Sequence, residues 1–188
     1  MMRKILRICF ILLLVVNQTA YSKYKKQKHQ NLKNSQKQNL RSYVLNTEQQ
    51  FGLPTSLLSA VIEHESSFNE KAINPVNSGN AVASYGLGQI TIPTAKDFCN
   101  IKTKKELLQH DTNIQCTAKI LKSHITRYGN VQSALAAYRA GTPCKKRYKH
   151  KYRICTYSDD KYVNGILKRI KKSKEFSRDR SNKHNTDS

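Results

Sequence analysis

No apolar run in this sequence is long enough to cross a bilayer. The longest, Ile8 to Val16, falls well short of the ~20 residues that a spanning helix needs, which argues against a permanent anchor. Acidic residues are also few. The chain has 12 Asp and Glu against 34 Lys and Arg, a net charge of +22, so a polyanionic partner is favoured. Nucleic acid, acidic lipid headgroups and the carboxylate-bearing peptides of a bacterial wall all qualify, and charge alone does not choose among them. A specific nucleic-acid role is not expected, because the basic runs lie in tails and loops with no recognisable reading helix. Alternating strand patterns are scarce and no internal repeat is visible, which leaves a mostly α domain. With 188 residues and 38% apolar content, there is room for one domain with a modest core and polar flanks.

What is present begins with Met1, Met2, Arg3, Lys4, Ile5, Leu6 and Arg7, followed by the apolar run and then by the small residues Ala20 and Ser22. Charged, apolar and small-residue parts in that order predict a secretory signal over residues 1–22, and hence an exported protein of the periplasm or cell envelope. Cys9 would leave with the signal; it precedes most of the apolar run, where a lipid-attachment cysteine would follow it. Cys99, Cys116, Cys144 and Cys155 then remain, an even number in a chain bound for an oxidising compartment, and two disulfides are expected. Three pairings are open. The local pairs Cys99 with Cys116 and Cys144 with Cys155 are the expectation adopted. A zinc site is the rival, but no two cysteines have the short spacing of a zinc knuckle, and no metal or cofactor is expected.

Residues 23–39 are Lys, Gln, Asn, Ser and His with almost nothing apolar, and residues 171–188 are again charged and polar. They read as a basic linker and a basic disordered tail around a domain over residues 40–170. A first helix should end near Phe51, where Gly52, Leu53 and Pro54 interrupt it, and Pro54 should open a second helix running to about Asn69. Residues 74–90 hold Pro75, Gly79, Gly86 and Gly88, too many breakers for a helix, so a long loop or small β excursion is predicted there. Pro93 starts a short helix to about Phe98, and Thr103 with Glu106 has the form of a capping box. Asp111 is placed to cap a longer helix with Ile114, Ala118, Leu121 and Ile125 along one face, ending at Gly129. Asn130 caps the next, Val131 to Ala140. Ser158 would cap the last, with Tyr162, Val163, Ile166, Leu167 and Ile170 facing inward.

One carboxylate stands out. At ~100° per residue, Glu65 falls within the arc formed by Leu58, Val61, Ile62, Phe68 and Asn69, whereas Glu63 and Glu70 point elsewhere. An acid on a buried face is either neutralised by partners, protonated or functional, because desolvation disfavours its charge. For such a residue alone, a carboxylate satisfied by core donors is the default. Ser66 follows it directly. After the loop comes Ser84-Tyr85-Gly86-Leu87-Gly88-Gln89-Ile90, where glycines let backbone approach a ligand and Gln89 offers both donor and acceptor.

These segments carry a resemblance. Residues 60–69 (AVIEHESSFN), Ser84 to Gln89 with Pro93-Thr94-Ala95, residues 136–141 (AAYRAG), and Tyr162-Val163 resemble, in order and spacing, the catalytic domain of the soluble-type lytic transglycosylases. The likeness is to the small forms that accompany envelope-spanning secretion and conjugation systems. It implies a lysozyme-like single domain related to goose-type lysozyme, with the loop or β excursion after the catalytic helix. It also implies that Glu65 is the catalytic acid and that Ser66, Ser84, Gln89, Tyr138, Arg139 and Tyr162 bind substrate, Tyr162 close to Glu65. The family usually has methionine where Gly88 stands and asparagine where Arg139 stands. Ordinary packing is the other reading of Tyr138 and Tyr162, both at helical spacing among apolar neighbours.

Two-carboxylate glycosidases place acids on both sides of the bond, yet Glu70, Asp97 and Asp111 lack the setting of Glu65. The resemblance therefore implies a one-carboxylate cut of the peptidoglycan MurNAc–GlcNAc bond that leaves a 1,6-anhydromuramoyl end. The rival readings are a lysozyme-like muramidase that consumes water, and a non-catalytic peptidoglycan-binding component of a secretion apparatus.

Overall fold

The computed structural model describes residues 2–75, 82–141 and 160–186. Two compact units are distinguished, Met1–Arg41 and Ser42–Ser188. In the first, the chain is helical throughout its described length, as part of α1 (Met2–Gln50). The linker over residues 23–39 is thus helix where an irregular flank was expected. The reason is compositional: Lys, Gln and Arg are good helix formers, and neither Gly nor Pro occurs before Gly52. Among the described residues, no helix is long and apolar enough to cross a membrane.

The second unit starts on the last turns of α1, where Val44, Thr47 and Glu48 are buried. α2 (Leu57–Ser66) follows, later than Pro54 because Pro54 to Ser56 form a turn, with the Pro54 carbonyl accepting from Leu57 N at 3.0 Å. Ser56 sits at φ 69° and gives α2 no side-chain cap. Glu48 does so instead: its two carboxylate oxygens accept from Ser56 N at 2.6 Å and Leu58 N at 2.8 Å. Orphan amides at the start of a helix need such acceptors. α2 buries Leu57, Leu58, Ala60, Val61 and Ile62, each large aliphatic contributing roughly 1.5–3 kcal/mol of transfer free energy. It stops at Ser66 because Ser67 and Phe68 adopt left-handed backbone, which leaves Asn69 exposed and outside the helix.

The β excursion is a three-stranded antiparallel sheet in the order β1 (Ile73–Asn74), β2 (Ser84–Tyr85), β3 (Ile90–Thr91). Ile73 pairs with Tyr85, and Tyr85 with Ile90. The turn between β2 and β3 is held by Asn113, which is 1% exposed. Asn113 Nδ2 donates to the carbonyls of Tyr85 at 3.0 Å and Leu107 at 2.8 Å, and its Oδ1 accepts from Gly88 N at 2.7 Å. Gly86 has φ 72°, and a Cβ there would meet Asn113 Nδ2 at 2.4 Å.

α3 (Ile92–Cys99) is capped by Thr91, and α4 (Lys104–Leu107) by the Thr103/Glu106 capping box. α5 (His110–Tyr128) begins one residue ahead of Asp111, whose carboxylate accepts from Thr112 N at 2.9 Å within the first turn, so Asp111 is no N-cap. Ile114, Ala118 and Leu121 are buried along α5, which ends at Gly129 with φ 77°. Asn130 caps α6 (Val131–Ala140) by accepting from Ser133 N at 2.8 Å. For α7 (Lys161–Thr186) the capping acceptor is Asp160, taking Tyr162 N at 2.9 Å and Val163 N at 3.3 Å; Ser158 lies outside the described residues. α7 continues through the segment expected to be a disordered tail, again a Lys- and Arg-rich stretch with no Gly or Pro after Gly165. Its residues Lys171 to Phe176 are exposed.

α2 packs against α5 and α7, and α6 lies against both of those helices. Cys99 and Cys116 form a disulfide that ties the end of α3 to α5, with a Cα–Cα distance of 5.7 Å. Cys144 and Cys155 lie outside the described residues. The result is the expected mostly α, lysozyme-like arrangement, with the small sheet following the helix that carries Glu65.

Candidate active site

Glu65 stands on the last turn of α2 and lines a cleft of about 760 Å³, together with residues from the sheet, α3, α5, α6 and α7. The Tyr162 hydroxyl donates to Glu65 Oε1 at 2.5 Å. Burial raises the Glu65 pKa above the ordinary carboxylate value, while the Tyr162 hydrogen bond and the Arg139 charge pull the other way. Tyr162 is 8% exposed. Its pKa is pushed up by burial and by the Glu65 charge, so it keeps its proton and remains a donor. Tyr138 is held in its neutral form by burial and then by Glu65; its hydroxyl donates to the Gly88 carbonyl at 2.6 Å.

Arg139 ends α6 on the rim. Its guanidinium reaches Asp160 Oδ1 at 3.1 Å and lies 5.5 Å from the centre of the Tyr162 ring. One arginine thus links the carboxylate that caps α7 to the tyrosine that grips Glu65. Asparagine would be too short to do both.

Gly88 shows why no side chain stands there. A Cβ would fall 2.0 Å from Thr117 Oγ1 and 2.9 Å from the Tyr138 hydroxyl. Thr117, on the buried side of α5, occupies that space and donates to the Asn113 carbonyl at 2.8 Å.

Gln89 and Ser84 line the cleft, but their polar groups are already engaged. Gln89 Nε2 donates to the Gly86 carbonyl at 2.8 Å and the Ala72 carbonyl at 3.3 Å, and its Oε1 accepts from Ser84 Oγ at 2.8 Å. They hold the sheet turn in shape. Ser66 Oγ donates to the Ile62 carbonyl at 3.2 Å, and Ser66 does not line the cleft. Glu65, Ser84, Gln89, Tyr138, Arg139 and Tyr162 are therefore brought together, and Ser66 stands behind them.

Several contributors escape a reading of the sequence. His64 lines the cleft beside Glu65 and presents its ring edge-on to Tyr162, centroids 4.8 Å apart. Its Nδ1 is buried with no hydrogen-bond partner among the described residues. Burial, then the charges of Arg169 and Arg139, lower its pKa. Gly165 on α7 makes room for it, since a Cβ there would lie 3.2 Å from His64 Cε1. The far part of the cleft is formed by Phe98, His124 and Tyr128, with Phe98 and His124 ring centroids 5.4 Å apart. Of the other acids, Glu70 faces His110 at 3.6 Å, Asp97 is exposed on the cleft wall, and Asp111 is engaged at the start of α5.

A cleft in which a carboxyl with a raised pKa is gripped by a tyrosine suits acid catalysis at a glycosidic oxygen. The sequence profile of the Transglycosylase SLT domain matches residues 42–159. The chain belongs to this family. It is a peptidoglycan lytic transglycosylase with a lysozyme-like fold. Two similar proteins are Protein IpgF of Shigella flexneri and Protein IpgF of Shigella sonnei, each 36% identical over 107 residues that cover 55% of this chain and 69% of the relative. Among solved structures, the fold is similar to an inactive mutant of the lytic transglycosylase Slt from Pseudomonas aeruginosa, with TM-score 0.57 and 22% identity. That similarity covers 69% of this transglycosylase but only 23% of the larger protein.

Proposed function

We propose that Glu65 is the sole catalytic carboxylate and that the product is a 1,6-anhydromuramoyl end. The observation that carries this reading is the Tyr162 hydrogen bond to a carboxyl whose pKa burial has raised. A neutral Glu65 gives its proton to the oxygen between N-acetylmuramic acid and N-acetylglucosamine, and the bond from that oxygen to the muramoyl anomeric carbon breaks. The substrate's own acetamido group stabilises the cationic sugar. The Glu65 carboxylate, steadied by Tyr162, then takes the proton of the muramoyl 6-hydroxyl as its oxygen bonds to the anomeric carbon. Glu65 is restored to its acid form, and no water is consumed. A raised pKa serves both steps, since it keeps the carboxyl protonated to higher pH than an ordinary carboxylate and makes it a better base once the proton is given up.

In this reading Arg139 orients Tyr162 and the rim of the cleft, while Tyr138, Ser84 and Gln89 shape the surface on which the glycan lies; Ser66 supports Glu65 from behind. Residues 1–22 direct export to the periplasm or envelope, the domain over residues 40–170 remodels the wall locally, and an envelope-spanning secretion or conjugation apparatus is the machine it serves. Zymography on a murein gel tests the catalytic assignment. Glu65→Gln is expected to abolish clearing while still folding and binding murein, and full clearing by that variant would refute it.

A further inference from the structure

Outside the catalytic cleft, the outer face of α5 carries a second depression of about 430 Å³, lined by Phe51, Lys119, Lys122, Ser123, Thr126 and Arg127. Three cations and two hydroxyls surround one half-buried aromatic ring, and no carboxylate is among the lining residues. The sequence of α5 holds no acid after Asp111, so the cations of this face have no acidic neighbour on the rest of their own helix. Lys122 is also steadied there, its Nζ reaching the Gly52 carbonyl at 3.4 Å.

Arg127 joins the two sites. It lines both the outer depression and the catalytic cleft, and its guanidinium lies 5.5 Å from the ring centre of Tyr128, which forms the cleft wall. A glycan lying in the cleft carries stem peptides on its muramoyl units, and these peptides bear carboxylates. A peptide leaving the cleft over Arg127 would reach Lys119 and Lys122, whose ammonium groups are suited to carboxylates and whose neighbours Ser123 and Thr126 can bond peptide amides. We infer that the groove formed by Phe51, Lys119, Lys122 and Arg127 binds the acidic stem peptide of the strand being cut. It thereby makes this transglycosylase prefer peptide-bearing over naked glycan. The inference rests on the glycan occupying the Glu65 cleft as proposed above.

The test uses Lys119→Gln/Lys122→Gln, two exposed positions away from the cleft, and leaves Arg127 untouched. Cutting is measured as fragments released, whatever their end chemistry, from peptide-bearing murein and from strands of the same murein stripped by an amidase. The variant is expected to raise KM on peptide-bearing strands about fivefold with kcat unchanged, and to match the unaltered protein on stripped strands. An unchanged KM, or an equal rise on both substrates, would overturn the inference. So would loss of inhibition by added polyphosphate with KM on peptide-bearing strands unmoved, which would mark the groove as a phosphate-polymer site. If the unaltered protein released reducing ends yet kept its peptide preference, the anhydro chemistry would fail and the groove assignment would stand.

Discussion

The Tyr162 hydroxyl meets the Glu65 carboxylate at 2.5 Å across a sequence separation of 97 residues. The start of α7 thereby sets the state of the acid at the end of α2. Removing that hydroxyl should raise the Glu65 pKa further, because the hydrogen bond favours the charged form. Tyr162→Phe is therefore expected to shift the basic limb of the kcat/KM profile to higher pH and to lower kcat roughly 10- to 100-fold, the value of a charge-assisted hydrogen bond. Rates on defined murein across pH check both.

Glu65 also burdens the fold. Its folded-state pKa lies above its unfolded one, so the neutral acid is the better-tolerated form, and its contribution to stability is lost as pH rises through the folded pKa. Glu65→Gln should consequently melt higher than the unaltered protein at neutral pH, with the difference shrinking in acid. Calorimetry at several pH values reads this directly.

Two histidines, the half-buried His64 and the buried His124, act with the opposite sign. His64 and His124 have pKa values lowered from 6.5, first by burial, then by nearby arginines. Each supports the fold fully above about pH 6.5, and stability falls as pH drops below that value, where the unfolded chain takes up protons that the folded one resists. His124→Phe should flatten part of this acid-side loss in a Tm-against-pH curve. An unchanged curve would show that the ring carries no such linkage.

Gly88 and Thr117 form a reciprocal pair. Gly88→Ala places a methyl 2.0 Å from Thr117 Oγ1 and should destabilise by about 1–3 kcal/mol, the usual range for overpacking. Adding Thr117→Ala should recover much of that loss. Denaturant unfolding of the two single variants and the double one measures the coupling.

Glu48 offers a test of the support beneath the catalytic helix. Glu48→Gln keeps the size but turns an amide donor towards one of the two backbone N–H groups it serves. A loss of about 1–3 kcal/mol is expected for the donor left unsatisfied, again read by denaturant unfolding.

Much of this was legible in the residues. The face of α2 that holds Glu65, the caps at Thr103 and Asn130, the stop at Gly129 and the small β excursion follow from local rules of spacing and turn chemistry, while the Cys99–Cys116 bridge is one of three pairings the sequence leaves open. What escaped depends on contacts between distant elements. Asn113 and Thr117 are polar residues on the buried side of α5, where an apolar stripe reads only Ile114, Ala118 and Leu121. The Glu48 cap spans two helices, and the fit of His64 against Gly165 spans α2 and α7. Polar composition over residues 23–39 and 171–188 points to disorder, but uninterrupted Lys, Gln and Arg also favour helix, and the described part of both stretches is helical. Serine is a good N-cap residue, so the sequence points to Ser158, whereas the acceptor of the Tyr162 and Val163 amides is Asp160, held by Arg139.

The central claim, that Glu65 acts alone as acid and then base, is tested most directly by the mass of the products. Murein digested in ¹⁸O-labelled water is expected to yield muropeptides with 1,6-anhydro ends, one water lighter than reducing ends and free of label. Reducing ends carrying ¹⁸O would contradict the account and show a hydrolase instead.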